Sequence, residues 1–181
     1  MKKMLLALLL TALLNNSFAQ KMWLCKAGET SFFSETPMEN ISAVNKKVAA
    51  IIDESKNEIA VKMVMADFKF KNHLMEEHFN ENYMESEKFP NGTFKGKINE
   101  KIDFSKNGTY NVTSHGTLMM HGVAKERDLT GKMVIENGKI TLTAAFNVPL
   151  KDHKIDIPTI VMAKIAEEIA IKCNWTFTPK N

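Results

Sequence analysis

Charge of one sign, long apolar runs and recognisable catalytic motifs are all missing from this chain of 181 residues. The formal net charge is +3, and no Lys/Arg cluster or polybasic stripe marks a nucleic-acid site or an anionic-membrane site. The longest apolar stretch, 4–14, is far short of the ~20 residues that span a bilayer. No Gly-x-Ser-x-Gly elbow and no glycine-rich phosphate loop is present. The adjacent Glu76 and Glu77 fall on a helix face that reads as solvated, whereas acid–base pairs need an enclosure that separates their pKa values. The five histidines do not form a metal set. His73 and His78 are five apart, not the i, i+4 that stacks ligands on one helical face. His115 and His121 are six apart on an extended segment, and His153 falls in a loop. These histidines read as solvated or helix-capping. No enzyme activity, cofactor or metal is expected. Linkers, low-complexity tracts and internal repeats are absent too.

The beginning of the chain has the build of a secretory signal peptide over residues 1–19. Lys2 and Lys3 make the positive start, 4–14 the apolar core, and Ser17-Phe18-Ala19 the small-residue site before Gln20. Cys25 follows Trp23-Leu24 and not a small-residue box, which argues against a lipoprotein signal. The expectation is a periplasmic or secreted protein, with 20–181 as one domain large enough to bury a core. Without Lys2 and Lys3 that domain carries 22 basic residues against 21 acidic ones, a mixed and unspecialised surface.

Period-two alternation dominates this domain. The segments 31–34 and 41–52 read as strands broken at Thr36-Pro37, and 53–57 as a polar turn. Ile59, Val61, Met63 and Met65 share a face. Phe68 and Phe70 continue on the opposite parity, which places a bulge or a strand end near Ala66-Asp67. Phe94 and Ile98 share a face with Gly96 between them. Asn107-Gly108 and Asn137-Gly138 carry the strongest two-residue hairpin signal. Tyr110, Val112, Gly116, Leu118 and Met120 follow the first of these turns, and Ile140, Leu142, Ala144, Phe146 and Val148 the second. The closing strand sets Ile169, Ile171, Cys173, Trp175 and Phe177 on one face. Eight or nine such strands build either an up-and-down barrel or a β-sandwich.

One segment breaks the β pattern. From His73, residues Leu74, Met75, His78, Phe79 and Asn82 recur at helical spacing, and Lys88-Phe89-Pro90 stops the helix. A single helix in the middle of a β chain suits the cover of an open barrel end, which tips the choice toward a barrel. A second short helix is expected from Pro158 through Ile160, Val161, Met162 and Ile165, with proline at its first position.

Cys25 and Cys173 lie near opposite ends of the domain. In an up-and-down barrel the first and last strands pair, so the two cysteines could be cross-strand neighbours. They read either as a disulfide or as two separate buried thiols. The many Met and Phe residues likewise fit either an ordinary packed core or the lining of an irregular apolar cavity.

The stretch from His73-Leu74 through Phe89-Pro90 to Phe94 closely resembles the signature of the YceI-like, polyisoprenoid-binding family. Gly116-Thr117-Leu118-Met119-Met120-His121-Gly122-Val123-Ala124-Lys125 is similar to that family's strand-and-turn motif, with Met119 in place of the usual Thr. The resemblance implies an all-β, extended lipocalin-like antiparallel barrel of about eight strands with one or two short helices. It implies a long-chain amphiphilic ligand such as an isoprenoid, carried or sequestered with transient membrane contact. A ligand-free structural or stress-protective barrel acting through a protein partner is the alternative. By parity the expected cavity residues are Met63, Met65, Phe68, Phe70, Phe94, Leu118, Met120, Phe146, Ile169 and Ile171, capped by Leu74, Met75 and Phe79 from the helix.

Overall fold

The alternating segments form nine antiparallel strands: β1 (Met22–Glu35), β2 (Asn40–Asp53), β3 (Glu58–Val64), β4 (Lys69–Phe70), β5 (Asn91–Ile98), β6 (Gly108–Met120), β7 (Val123–Glu136), β8 (Lys139–Pro149) and β9 (Glu168–Pro179). The computed structural model describes residues 21–180, so the expected signal segment 1–19 lies outside the described residues. The strands neighbour one another in the order β1-β9-β8-β7-β6-β5-β3-β2, and a long β1–β2 ladder closes the circle. The architecture is therefore an eight-stranded up-and-down barrel. The two-residue β4 adds to the edge of β2 near the rim, at Ala43 and Val44.

Turn chemistry sets the register. Asn137 and Gly138 have φ of 52° and 69° between the paired Glu136 and Lys139, the left-handed pair that a tight hairpin requires. His121 and Gly122 repeat this at 51° and 70° between Met120 and Val123. The expectation for Asn107-Gly108 was wrong. β5 ends at Ile98, and Gly108 pairs with Ile135 of β7. The residues between form a loop, turned by Asp103, whose side chain accepts from the Ser105 amide (3.1 Å). That loop folds Phe104 under the barrel against Trp23, ring centroids 6.2 Å apart.

The parity shift after Met65 is a 3₁₀ turn, Met65–Asp67, that ends β3. The Met65 amide donates to the Pro90 carbonyl (2.9 Å). The mid-chain helix α1 (His73–His78) continues as one π turn, Phe79–Tyr83. The helix expected after Pro158 shrinks to a single 3₁₀ turn, Thr159–Val161. A further 3₁₀ turn, Leu150–His153, follows β8.

The interior divides into two levels. The end holding the β2–β3 turn, the Phe104 loop and the β7–β8 turn is packed solid. There Val48, Ile52, Met133, Ile140 and Phe177 are fully buried. The other end, under α1, has a smaller separate cluster of Ala43, Met65, Phe68, Met84 and Ile155.

Both cysteines are buried free thiols. β1 and β9 do pair, as barrel closure demands, but Cys173 stands opposite Thr30 while Cys25 pairs with Ala50 of β2. At ~3.3 Å per residue, the register offset between Cys25 and Thr30 is on the order of 15 Å. Disulfide geometry tolerates at most about 7 Å between Cα atoms, so the disulfide alternative is excluded.

Candidate functional site

Above the packed level the barrel is hollow. A cavity of about 430 Å³ opens toward α1 and is lined overwhelmingly by apolar side chains. That volume is within the range of pockets that hold small ligands. Met63 and Met65 of the β3 end, Phe68 and Phe70, Leu118 and Met120 of β6, Phe146 of β8 and Ile169 and Ile171 of β9 all face it. Leu74, Met75 and Phe79 cover it from the helix, as their spacing implied. Phe94 does not line it. The Phe94 side chain points inward, but its ring lies down the strand over Gly96, within 2.7 Å of where a Cβ there would sit. It belongs to the packed level.

The cover is held by aromatic contact and by one carboxylate. Phe79 sits among Phe32, Phe68 and Phe70, with ring centroids 5.5, 5.7 and 5.1 Å away. Its plane is 26° from that of Phe32, a stacked arrangement. The π turn places Phe79, Tyr83 and Met84 on the cavity side together. At the start of α1 the Asn72 side chain accepts from the Leu74 amide (2.9 Å). Glu76, expected on a solvated face, instead ties the helix to β4. It accepts from the Lys69 ammonium and from the Phe70 amide (3.3 Å). The Lys69 hydrogen bond is the main reason its carboxyl is held below the usual range.

Few polar groups reach the cavity. Thr30 Oγ1 accepts from Trp175 Nε1 (3.1 Å) and faces Cys173 Sγ at 3.8 Å. Burial pushes the Cys173 thiol up to about 11, and the Cys25 thiol is raised for the same reason. Neither is a poised nucleophile, since the thiolate is the reactive form. Burial also raises the Tyr83 phenol. Ser34 Oγ accepts from the Ala166 amide (2.9 Å). At the rim, Lys164 and Glu39 face each other at 3.8 Å, beside Asn72 and His78. The site is thus an apolar well with a polar edge.

Of the histidines that read as solvated, His153 is fully buried in the wall and His121 is half-buried beside it. β7 and β8 pair only from Gly131–Ala144 toward the packed end. Above that they separate, and the Leu150–His153 turn fills the gap. Arg127 of β7 donates to Asp152 (2.9 Å) and to the Asn147 carbonyl (3.2 Å). His153 Nδ1 donates to the Val123 carbonyl (3.0 Å), and His121 Nδ1 donates to the His153 carbonyl (3.1 Å). The Nε2 atoms of both are buried without a hydrogen-bond partner. His121 Nε2 lies 3.7 Å from the Glu85 carboxylate. Desolvation lowers the His153 pKa, with the Arg127 charge acting in the same sense.

Sequence reading missed Phe32, Tyr83, Met84, Leu150 and Ile155, which also line the cavity. Phe32 was legible in principle, since it alternates with Thr30 and Ser34 on the inward parity of β1. Ile155 follows a 3₁₀ turn in an irregular link and leaves no periodic trace. A larger hollow of about 820 Å³ lies on the outer faces of β1, β9, β8, β7 and β6. It is an open saddle lined by Ser, Thr, Asn and Lys side chains, with no means of excluding water, so the enclosed apolar cavity is the better candidate. Among the described residues no group of three or more His, Cys, Asp or Glu could hold a metal ion.

Comparison with known proteins agrees with this architecture. A family model described as the YceI-like domain matches residues 26–177. Among solved structures, a polyisoprenoid binding domain from Saccharophagus degradans superposes with a TM-score of 0.75 at 12% identity, covering 88% of this chain and 98% of that one. Burkholderia cenocepacia BcnA gives 0.68 at 16% identity, with 82% and 95% covered. A Campylobacter jejuni YceI protein gives 0.58 at 20%, with 76% and 83% covered. No curated protein sequence matches.

Proposed function

Since this chain belongs to the YceI-like family, we propose that it binds an amphiphilic lipid, in keeping with a polyisoprenoid, and acts as a carrier or sequestering protein. The observation that carries this reading is the apolar cavity of about 430 Å³ under an aromatic cover. The relative from Saccharophagus degradans is named a polyisoprenoid binding domain, which supports the same ligand class. Each buried five-carbon unit contributes about 4 kcal/mol gross at ~0.8 kcal/mol per CH₂. About three units would match nanomolar affinity before ordering costs. A bilayer offers the ligand similar apolar surroundings, so exchange with a membrane is nearly balanced, which suits a carrier. The reading includes no catalytic step. With cleavage near Ala19-Gln20, the protein would work in the periplasm or outside the cell, with transient membrane contact during loading.

The test is displacement of a fluorescent fatty probe from the purified domain by prenyl lipids, repeated on Met63→Glu. Met63 lines the cavity but is only half-buried, so a folded variant is expected. Loss of binding in that folded variant supports the reading, and unchanged binding overturns it. The packed lower level favours a second reading, a ligand-free structural barrel acting through a protein partner. Its mark would be a wild-type protein that takes up no lipid at all.

A further inference from the structure

We propose that this pocket takes a lipid tail of about three five-carbon units and no more, the limit being an aromatic floor built on glycines. The inference rests on the lipid-binding reading above. At roughly 30 Å³ per water-sized group, a cavity of about 430 Å³ holds on the order of fourteen carbons. The lining stops at a definite residue on each of three walls, and on β1 and β9 these ends are one step of the ladder apart, Thr30 standing opposite Cys173. On β1 the deepest lining residue is Thr30, and the next inward position is Gly28. On β6 it is Leu118, followed by Gly116; on β9 it is Ile171, followed by Cys173.

Below that level two aromatic rings occupy the space that the missing side chains leave. The Trp175 indole lies where a Cβ of Gly28 would be, and its Nε1–H donates to Thr30 Oγ1 (3.1 Å). The Phe94 ring lies over Gly96, which pairs directly with Gly116 across the β5–β6 ladder. Phe94 and Trp175 are both buried, at 6% and 7% exposed. The barrel is long enough for a deeper well, and these residues close it halfway. Two hydroxyls stand at the floor, Thr30 Oγ1 already engaged by Trp175 and the buried, unpartnered Ser114 Oγ beside Gly96, while the charged Lys164 and Glu39 and the Asn72 amide stand at the rim. A ligand therefore enters tail first, and a chain longer than three units leaves its remainder outside the cavity.

The experiment is a ladder of prenyl alcohols of two, three, four and six units, titrated into delipidated full-length mature protein. Wild-type affinity should rise at least tenfold from two units to three, then stay within about threefold. Phe94→Ala removes a ring from the floor and should move the break to four units, with a gain of at least tenfold from three to four. If circular dichroism shows that variant unfolded, Leu118→Trp decides instead. Its extra bulk at the bottom of the well takes the space of on the order of two carbons at roughly 30 Å³ each, and should erase the gain from two units to three. A wild-type affinity that keeps climbing tenfold from three units to four overturns the floor while leaving lipid binding intact. So does a folded variant whose break does not move. Absence of binding at every length overturns the lipid reading and this inference with it.

Discussion

Phe79 is the side chain through which the cover holds the barrel, and Phe79→Ala isolates that contact. Its ring lies 5.1–5.7 Å from three other phenylalanines, and the residue itself is half-buried. Fully burying a phenylalanine is worth ~1.5–3 kcal/mol, so half burial contributes ~1 kcal/mol. Aromatic pairing adds ~0.5–1.5 kcal/mol. The truncation should therefore cost about 2 kcal/mol of cover docking, well under the 3–5 kcal/mol of a fully buried Phe→Ala. If bound lipid leaves past this cover, the dissociation rate should rise about thirtyfold, since 1.4 kcal/mol is about tenfold. Stopped-flow displacement of a bound fluorescent lipid measures that rate. Phe33→Ala is the control, because Phe33 is the outward neighbour of Phe32 and 38% exposed. A Phe79→Ala rate within threefold of wild type, or an equal change in Phe33→Ala, would refute the role given to the cover.

Three further outcomes follow from particular contacts. His153 is fully buried and its pKa is lowered by desolvation, so below about pH 6.5 the unfolded chain takes up a proton that the folded one resists. Stability should fall as pH drops from 6.5 toward 5, and His153→Gln should flatten that part of a melting-temperature profile; an unchanged profile would sink the assignment. The exposed His115 acts in the opposite sense. Its hydrogen bond to Asp128 raises its pKa, so its contribution is present below pH 6.5 and is lost as pH rises through the raised value. Both thiols should stay unreactive toward a water-soluble thiol reagent until the protein is denatured, and then two equivalents should react; no reaction at all after non-reducing denaturation would mean a disulfide after all. Gly122→Ala should destabilise the β6–β7 hairpin by ~1–2 kcal/mol, because φ there is +70° and a Cβ would press on the Phe89 ring. Gly138→Ala has the same φ problem but open space around it, so denaturant melts should show a smaller loss for it.

Alternation made the inward-facing residues legible but left barrel and sandwich open, and the single mid-chain helix together with the family resemblance decided for the barrel. The cavity residues followed from the same parity. Parity carries no information on height along the barrel axis, and that is why Phe94 was misplaced. It faces inward as its spacing requires and pairs with the cavity-lining Leu118, but the glycine below it lets the ring drop into the packed level. The choice between a disulfide and two separate buried thiols stayed open for the same reason. Pairing of β1 with β9 was sound, but its register sets Leu24 opposite Thr178 and Thr30 opposite Cys173, which leaves Cys25 far along the strand from Cys173. Asn107-Gly108 misled because a hairpin dipeptide acts only where both flanking strands continue to it, and β5 stops at Ile98. The full burial of His153 and the partial burial of His121 depend on the gap between β7 and β8, a feature of the closed sheet with no local signal.

Native mass spectrometry of the protein purified from the cells that make it, followed by organic extraction, tests lipid binding most directly. The account predicts a discrete adduct that extracts as a prenyl or fatty derivative. A clean ligand-free mass, with no adduct after incubation with prenyl lipids of any length, would contradict it.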